Sequence, residues 1–182
     1  MRSDLYTISR ARTGTLHTMA RPRGGDWLDD EMSALAAGGI GVLVSLLTDA
    51  EMTELGLTAE PEAAQTAGLV FYRLPTPDRH VPDRAASINL AGTLCAHLEV
   101  GQSVAIHCRN GIGRASVLAA TVLVLEGTEP ADAWALISEA RGLSVPDTTD
   151  QHNALSMLRP PQDLPAAPST QAGRGDQAPA SR

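Results

Sequence analysis

The stretch SVAIHCRNGIGRASVLAATVLVL, residues 103–125, joins two apolar runs through a short polar turn. The first run, 103–108, is brief and contains Val and Ile, which predicts a buried strand. The second, 115–126, is apolar on almost every side, which predicts a buried helix. Cys108, two glycines and Arg114 stand in the turn between them. Because ligands of parallel sheets collect beyond the carboxyl ends of strands, we expect a site at this turn.

Strands and helices alternate along the rest of the chain. Apolar runs predict two more strands, at 40–47 and 69–74. Amphipathic or capped segments predict further helices over 24–37, directly after Thr48, and over 60–67, 83–99, 129–141 and 149–158. This alternation predicts a single α/β domain with a central, mostly parallel sheet of four to five strands flanked by helices.

Composition sets the limits of that domain. The chain has 182 residues, which suits one hydrophobic core, and we assign the domain to residues 1–159. Residues 160–182 are rich in Pro, Ala and Gly without periodicity, which predicts a disordered tail. The first 23 residues hold five arginines against one aspartate, and we expect them to form a solvated basic segment.

Several function classes are disfavoured by composition. The formal net charge of −7 argues against nucleic-acid binding, and the absence of lysine removes Schiff-base chemistry and a lysine-bearing Walker loop. Two cysteines make no disulfide framework, and no apolar run reaches the roughly 20 residues of a membrane helix. We expect a cytoplasmic protein without a membrane segment. The histidines and cysteines lack metal-ligand spacing, so neither a metal nor a cofactor is expected.

The turn after residue 107 suits the binding of a small anion. Glycines allow backbone angles that direct successive N–H groups inward, and the following helix adds its positive N-terminal end. Arg114 supplies a planar pair of donors for two oxygens of a phosphate. The same positive field favours the thiolate of Cys108, which makes this cysteine a candidate nucleophile beneath a bound phosphate. The main-chain donors would come from Arg109, Asn110, Gly111, Ile112 and Gly113.

His107 and a carboxylate upstream complete the candidate set. Adjacent strand residues point to opposite faces, so His107 is expected to support the loop from behind through a backbone carbonyl, or else to be an ordinary buried histidine. A proton donor is needed for the leaving oxygen, and Asp78 follows a predicted strand in a proline-rich loop. Asp83 competes for this role but suits a helix N-cap, while Asp78 has the alternative of being a simple turn residue.

The segment HCRNGIGRAS, 107–116, resembles the His-Cys-x5-Arg signature of protein tyrosine phosphatases, especially the compact dual-specificity type. LPTPDRHVP, 74–82, resembles the general-acid loop of the same family. The resemblance implies a phosphatase-like fold and hydrolysis of phosphomonoesters through a phosphocysteine. It implies Cys108 as nucleophile, Arg114 as phosphate ligand and Asp78 as acid and then base. The implied substrate is a phosphorylated protein, with phosphotyrosine first, or a small phosphomonoester.

Three positions qualify the resemblance. Relatives usually carry Ser or Thr after the loop arginine, whose hydroxyl stabilises the departing thiolate, whereas this chain has Ala115. We therefore expect slow breakdown of the phosphocysteine. Gln151 matches the place of a glutamine that positions water in some relatives, although a surface glutamine is the stronger expectation. Cys95 is expected in the core, and a protective disulfide with Cys108 is the alternative.

Two other functions remain open at this stage. A phosphate-recognition module without turnover, a pseudophosphatase, would keep Arg114 and bind phosphorylated partners. A rhodanese-like sulfurtransferase also uses a cysteine in an anion-binding loop, but normally without the His-Cys and Arg pattern. A dinucleotide-binding turn is excluded, because Ser116 stands where the third glycine is needed.

Overall fold

The computed structural model describes residues 4–156 and 158. The predicted tail at 160–182 lies outside the described residues, so the division of the chain at residue 159 stays a prediction. No described helix has the length and apolar character needed to cross a membrane.

A five-stranded sheet forms the centre of the molecule. Its strands are β1 (Leu5–Ile8), β2 (Thr15–Met19), β3 (Ile40–Ser45), β4 (Val70–Arg73) and β5 (Ser103–His107). They lie in the order β1-β2-β5-β3-β4, and every neighbouring pair is parallel except β1 with β2. The prediction of a mostly parallel sheet of four to five strands in a single α/β domain is confirmed.

Seven helices flank the sheet in the described part of the chain. They are α1 (Leu28–Ala37), α2 (Asp49–Glu54), α3 (Glu60–Thr66), α4 (Arg84–Glu99), α5 (Arg114–Leu125), α6 (Pro130–Arg141) and α7 (Thr149–Asn153). The helix predicted over 24–37 begins only at Leu28, after a short 3-10 turn at Gly25–Trp27. The helix predicted over 149–158 ends earlier, at Asn153.

Alternation along the strands divides the core into two layers. Val44 and Ile106 belong to the layer that contains side chains of α4, α5 and α6. Their neighbours Leu43 and Ala105 belong to the layer that contains side chains of α1, α2 and α3. Helix α5 packs against β2, β5, α4 and α6, which explains why its sequence is apolar on nearly every side. The turn between β5 and α5, residues 108–113, is therefore held between a buried strand and a buried helix.

The N-terminal segment differs from its prediction as a solvated arm. It forms β1 and β2, and β2 lies directly beside β5, with Met19 opposite His107. The strand TLHTM was not predicted because three of its five residues are Thr or His, yet His17 is buried between the hydroxyls of Thr7 and Thr15. Burial lowers the pKa of His17, which favours the neutral ring.

Candidate active site

The turn between β5 and α5 places Cys108 at the carboxyl end of the central strand. The residue is 3% exposed, and the N–H of Gly111 donates to its Sγ over 3.3 Å. Gly111 has φ of +68°, and a Cβ there would lie 2.2 Å from the carbonyl oxygen of Met19. Glycine is thus required twice, by the left-handed backbone and by the close approach of β2. The loop therefore folds back toward the sulfur at Gly111, and its role in anion binding stays a prediction.

Arg114 is held under the loop by protein oxygens. Its side chain is 1% exposed, and its two terminal nitrogens bind the two oxygens of Glu51 at 2.8 and 2.9 Å. Nη1 also donates to the carbonyl of Thr76 at 2.7 Å. Burial would lower the pKa of Arg114, but the hydrogen bonds to Glu51 and the charges of Cys108, Glu51 and Asp78 raise it above its ordinary value. The guanidinium is consequently a fixed positive charge next to the cysteine.

Glu51 is a site residue that sequence reasoning missed. It closes a capping box at the start of α2, in which Thr48 Oγ1 accepts from the Glu51 N–H and Glu51 Oε2 accepts from the Thr48 N–H. The same carboxylate fixes Arg114. Burial would raise the pKa of Glu51, but hydrogen bonds from Arg114 and Thr48 bring it below its ordinary value. The capping-box spacing was a readable signal for the helix start, but nothing local links it to an arginine 63 residues later.

The two competing aspartates have different environments. Asp78 Oδ1 accepts from Arg114 Nη2 at 2.8 Å, and its side chain is 58% exposed. Asp83 accepts from the N–H of Ala86 and caps α4. The structure therefore confirms Asp83 as an N-cap and brings Asp78 to the arginine of the loop. The turn after Asp78 is tight, since Arg79 has φ of +61°.

His107 points away from the nucleophile, as strand alternation predicted. Cys108 belongs to the layer of α4, α5 and α6. His107 instead meets Glu60 of α3, with Nε2 2.9 Å from Glu60 Oε1. Its Nδ1 lies 3.4 Å from the carbonyl oxygen of Cys108. Contact with the loop through a backbone carbonyl is thus present, and the ring is also fully buried.

Gln151 corrects one expectation. It was expected at the surface, but it is completely buried. Its Nε2 donates to the carbonyl oxygen of His80 at 3.0 Å. A Cβ added to Gly113 would lie 2.7 Å from its Oε1. Gln151 therefore bridges the loop of Asp78 and the last residue before α5, a long-range contact that local sequence could not reveal.

The outer edge of the loop is held by neighbouring elements. Arg109 pairs with Glu54 of α2, and the carbonyl of Asn110 accepts from Arg141 at 3.1 Å. Burial would raise the pKa of Glu54, but the bond and charge of Arg109 are stronger and lower it. Ile112 packs against the core. These contacts fix the outer edge of the loop to α2, α6 and the core.

Ala115, Ser116 and Cys95 lie in the buried core region. Ala115 and Ser116 are both fully buried, and the Ser116 hydroxyl makes no hydrogen bond with any described group. It therefore does not replace the missing hydroxyl at position 115.

Cys95 contacts the carbonyl oxygen of Val122 in α5. At 1.5 Å per residue, Val122 lies about 12 Å along the helix from its start next to the Cys108 loop, so Cys95 is too far from Cys108 for a disulfide. Burial raises the pKa of Cys95 to about 11. Among described residues, no cluster of three or more His, Cys, Asp or Glu side chains could hold a metal.

Comparison with known proteins assigns this arrangement to a family. The family described as "Tc-R-P: Polymorphic toxin system, DSP-PTPase phosphatase" matches residues 17–128, more than half of the chain. The chain belongs to this phosphatase family. The match covers the end of β2, strands β3, β4 and β5, the loop of Asp78 and the loop of Cys108, and it favours a phosphatase over a sulfurtransferase.

Individual relatives agree with the assignment. The rat (Rattus norvegicus) protein "Cyclin-dependent kinase inhibitor 3" is 25% identical over 134 residues, which are 72% of this chain and 63% of that protein. The mouse (Mus musculus) "Protein tyrosine phosphatase domain-containing protein 1" is 37% identical over 79 residues, 43% of this chain and 10% of that protein. This chain therefore spans less than two thirds of either relative.

The fold also matches a solved phosphatase. A crystal structure of kinase associated phosphatase, with its catalytic-site cysteine changed to serine, superimposes with a TM-score of 0.78. The likeness covers 85% of this chain and 93% of that chain at 21% identity, so it establishes the fold.

The close approach at Gly111 predicts an unequal pair of glycine mutants. Gly111 and Gly142 share φ of +68°, but only Gly111 has an atom in the path of a Cβ. Gly142→Ala should cost about 1–2 kcal/mol for the left-handed backbone alone. Gly111→Ala should cost clearly more, because the methyl group meets Met19. Urea unfolding of both variants measures the difference, and equal destabilisation would contradict the stated geometry.

The role of Glu51 predicts a pH-dependent stability difference. The folded protein holds the pKa of Glu51 below its ordinary value of 4.5. Its stabilising effect is therefore complete above about pH 4.5 and is lost as the pH falls through the lower folded pKa. Because the amide oxygen of glutamine can still accept from Arg114 while the charge is lost, Glu51→Gln should destabilise the protein by about 1.5–3 kcal/mol at pH 7, less than the roughly 3–5 kcal/mol typical of removing a buried partner altogether. This deficit should shrink as the pH falls below about 4.5. Glu54→Gln, which alters an exposed pair on the same helix, is the control, and a deficit in Glu51→Gln that does not change with pH would refute this account.

Proposed function

We propose that the protein hydrolyses phosphomonoesters through a phosphocysteine on Cys108. The observation that carries this proposal is the position of Arg114, whose buried guanidinium meets Asp78 at 2.8 Å, in the same loop region where the Gly111 N–H donates to the Cys108 sulfur. Nucleophile and cation thus come from the turn after β5, and the carboxylate comes from the loop after β4. This is the set of groups that phosphoryl transfer to a thiolate requires.

In the first step, the Cys108 thiolate attacks phosphorus and the bond from phosphorus to the ester oxygen breaks. The backbone N–H groups of 109–113 and the Arg114 guanidinium bind the non-bridging oxygens as charge redistributes. Asp78, in its protonated form, gives its proton to the leaving oxygen. Before phosphate binds, the Asp78 carboxylate pairs with Arg114 Nη2. The phosphate takes its place there, and the released carboxylate, which is 58% exposed, takes up a proton from solvent before it turns toward the leaving group.

In the second step, water attacks the phosphocysteine, Asp78 removes its proton, and the phosphorus–sulfur bond breaks to give phosphate and thiolate. We assign the orientation of this water to Gln151, whose Oε1 lies next to Gly113 and accepts no hydrogen bond from the described residues. No hydroxyl at position 115 is available to stabilise the departing sulfur. We infer that this step limits turnover.

The substrate follows from the shape and charge of the site only as a class. A phosphate on a protein tyrosine is our first candidate, with phosphoserine, phosphothreonine and small phosphomonoesters as alternatives. The nucleophile must stay reduced, so we propose that the protein acts in a reducing compartment such as the cytoplasm.

The main test of the proposed function is turnover of p-nitrophenyl phosphate, which Cys108→Ser must abolish. Phosphate binding without turnover in the wild-type protein would instead identify a pseudophosphatase.

The assignment of Asp78 predicts different effects at the two aspartates of the acid loop. Asp78→Asn removes the transferable proton and should lower kcat by about 10²–10⁴-fold with a poor leaving group such as a phosphotyrosine peptide. Asp83→Asn keeps a good N-cap side chain and should change kcat little. Steady-state kinetics with the peptide decide the point. The assignment fails if Asp83→Asn is the more damaging change.

The alanine at position 115 predicts burst kinetics. Wild-type protein mixed with p-nitrophenyl phosphate should release one equivalent of nitrophenol rapidly and then turn over slowly. Ala115→Ser restores a hydroxyl, and because a hydrogen bond to a charged group contributes about 1.5–3 kcal/mol, steady-state turnover should rise about ten- to a hundredfold while the burst diminishes. Stopped-flow absorbance measures both phases. Equal steady-state rates in the two proteins would show that the missing hydroxyl does not limit the reaction.

A further inference from the structure

Glu60 is a buried carboxylate that the reaction above does not use. Glu60 and His107 are both 0% exposed, and Glu60 Oε1 lies 2.9 Å from His107 Nε2. These two atoms lie at ion-pair distance but do not meet the geometry of a hydrogen bond. Neither oxygen of Glu60 accepts a hydrogen bond from any other described residue. An uncompensated carboxylate in such a place would be costly. His107 is therefore the group that makes the burial of Glu60 tolerable.

The second nitrogen of His107 also faces an oxygen. Nδ1 lies 3.4 Å from the carbonyl oxygen of Cys108, so oxygen atoms stand opposite both ring nitrogens. A neutral imidazole has one N–H and one lone pair. Hydrogen belongs on Nδ1, because a lone pair there would face the carbonyl oxygen of Cys108, whereas an N–H can donate to it.

The carbonyl of Cys108 belongs to the first peptide of the anion-binding loop. In a trans peptide the C=O and the next N–H point in opposite directions. A carbonyl drawn toward His107, on the α3 side of the sheet, directs the N–H of Arg109 toward the opposite side, where the Cys108 side chain lies.

We propose that Glu60 is a positioning residue, which acts through His107 to hold the Cys108 carbonyl and thereby aims the Arg109 N–H at the bound anion. The inference rests on the proposed function only in assigning the anion site to 108–113. It predicts an effect on anion recognition by the loop that a buried pair serving stability alone would not have.

Alkylation of Cys108 measures this effect without turnover. Iodoacetate is an anion and iodoacetamide is its neutral analogue, so the ratio of their rates reports anion recognition by the loop. Mass spectrometry of the Cys108 peptide separates it from Cys95. In the wild-type protein iodoacetate should react faster. Glu60→Leu removes the partner of Nε2 and should lower the ratio about two- to tenfold, the equivalent of one lost hydrogen bond.

Three further variants complete the design. Glu60→Gln can donate its amide N–H to Nε2, which keeps hydrogen on Nδ1, so its ratio should stay within about twofold of wild type. Glu126→Gln alters a buried carboxylate paired with Arg10 beyond the far end of α5, and its ratio should not change. The double variant Glu60→Leu/His107→Phe replaces the pair by apolar side chains, which proteins often tolerate, and provides a folded protein should the single leucine variant not fold. It should show the same lowered ratio as Glu60→Leu, because both break the same contact.

A wild-type ratio in either leucine-containing variant would overturn the proposal, and so would a wild-type protein that alkylates equally with both reagents. The outcome is separable from the proposed function. A protein without phosphatase turnover whose ratio still responds to Glu60 would refute the function and retain this inference. Turnover together with an unresponsive ratio would do the reverse.

Discussion

The buried contact between Arg114 and Glu51 is the interaction on which the rest of the site depends. A guanidinium that is 1% exposed cannot be left unpaired, and the loss of one partner of such a pair typically costs about 3–5 kcal/mol. Glu51 in turn is fixed by Thr48 at the start of α2, a helix that directly follows β3. The orientation of Arg114, which we propose as the residue that binds phosphate, is therefore set by a capping box after a neighbouring strand, and the loop of Cys108 has only to carry the arginine to it.

Local sequence patterns predicted some elements of the fold correctly and missed others. The strand, loop and helix around Cys108 were predicted well, because an apolar strand, a glycine turn and an all-apolar helix are strong local patterns. Strands β1 and β2 were missed because their burial depends on partners far along the chain. His17 of β2 meets the hydroxyl of Thr7 across the hairpin and that of Thr15 on its own strand, and Arg10 is neutralised by Glu126. A basic, polar segment thus becomes buried through contacts that no window of sequence contains.

The same distinction applies to the site. Cys108, Arg114 and Asp78 were identified from motif and resemblance, and the structure brings Arg114 to Asp78. Their supports were not predictable, since Glu51, Glu60 and the burial of Gln151 depend on the packing of α2, α3 and α7 against the strand ends. Cys108 and Arg114 lie in one short motif because a single loop carries both, and Asp78 lies in a second short segment. Supporting groups are supplied by whichever neighbouring elements reach the loop, and their sequence positions vary accordingly.

Under the proposed mechanism, the carboxylates around Arg114 limit which anions can bind at the site. Arg114 already has Glu51 on one side and Asp78 on the other, so its positive charge is balanced before a ligand arrives. Asp78 is the exposed partner and the one that can leave, whereas Glu51 is locked in its cap. A ligand must replace a carboxylate at the guanidinium, and a doubly charged phosphate with three oxygens can do so more effectively than a singly charged carboxylate. The displaced Asp78 is then free at the edge of the site, where the leaving oxygen of the substrate requires a proton.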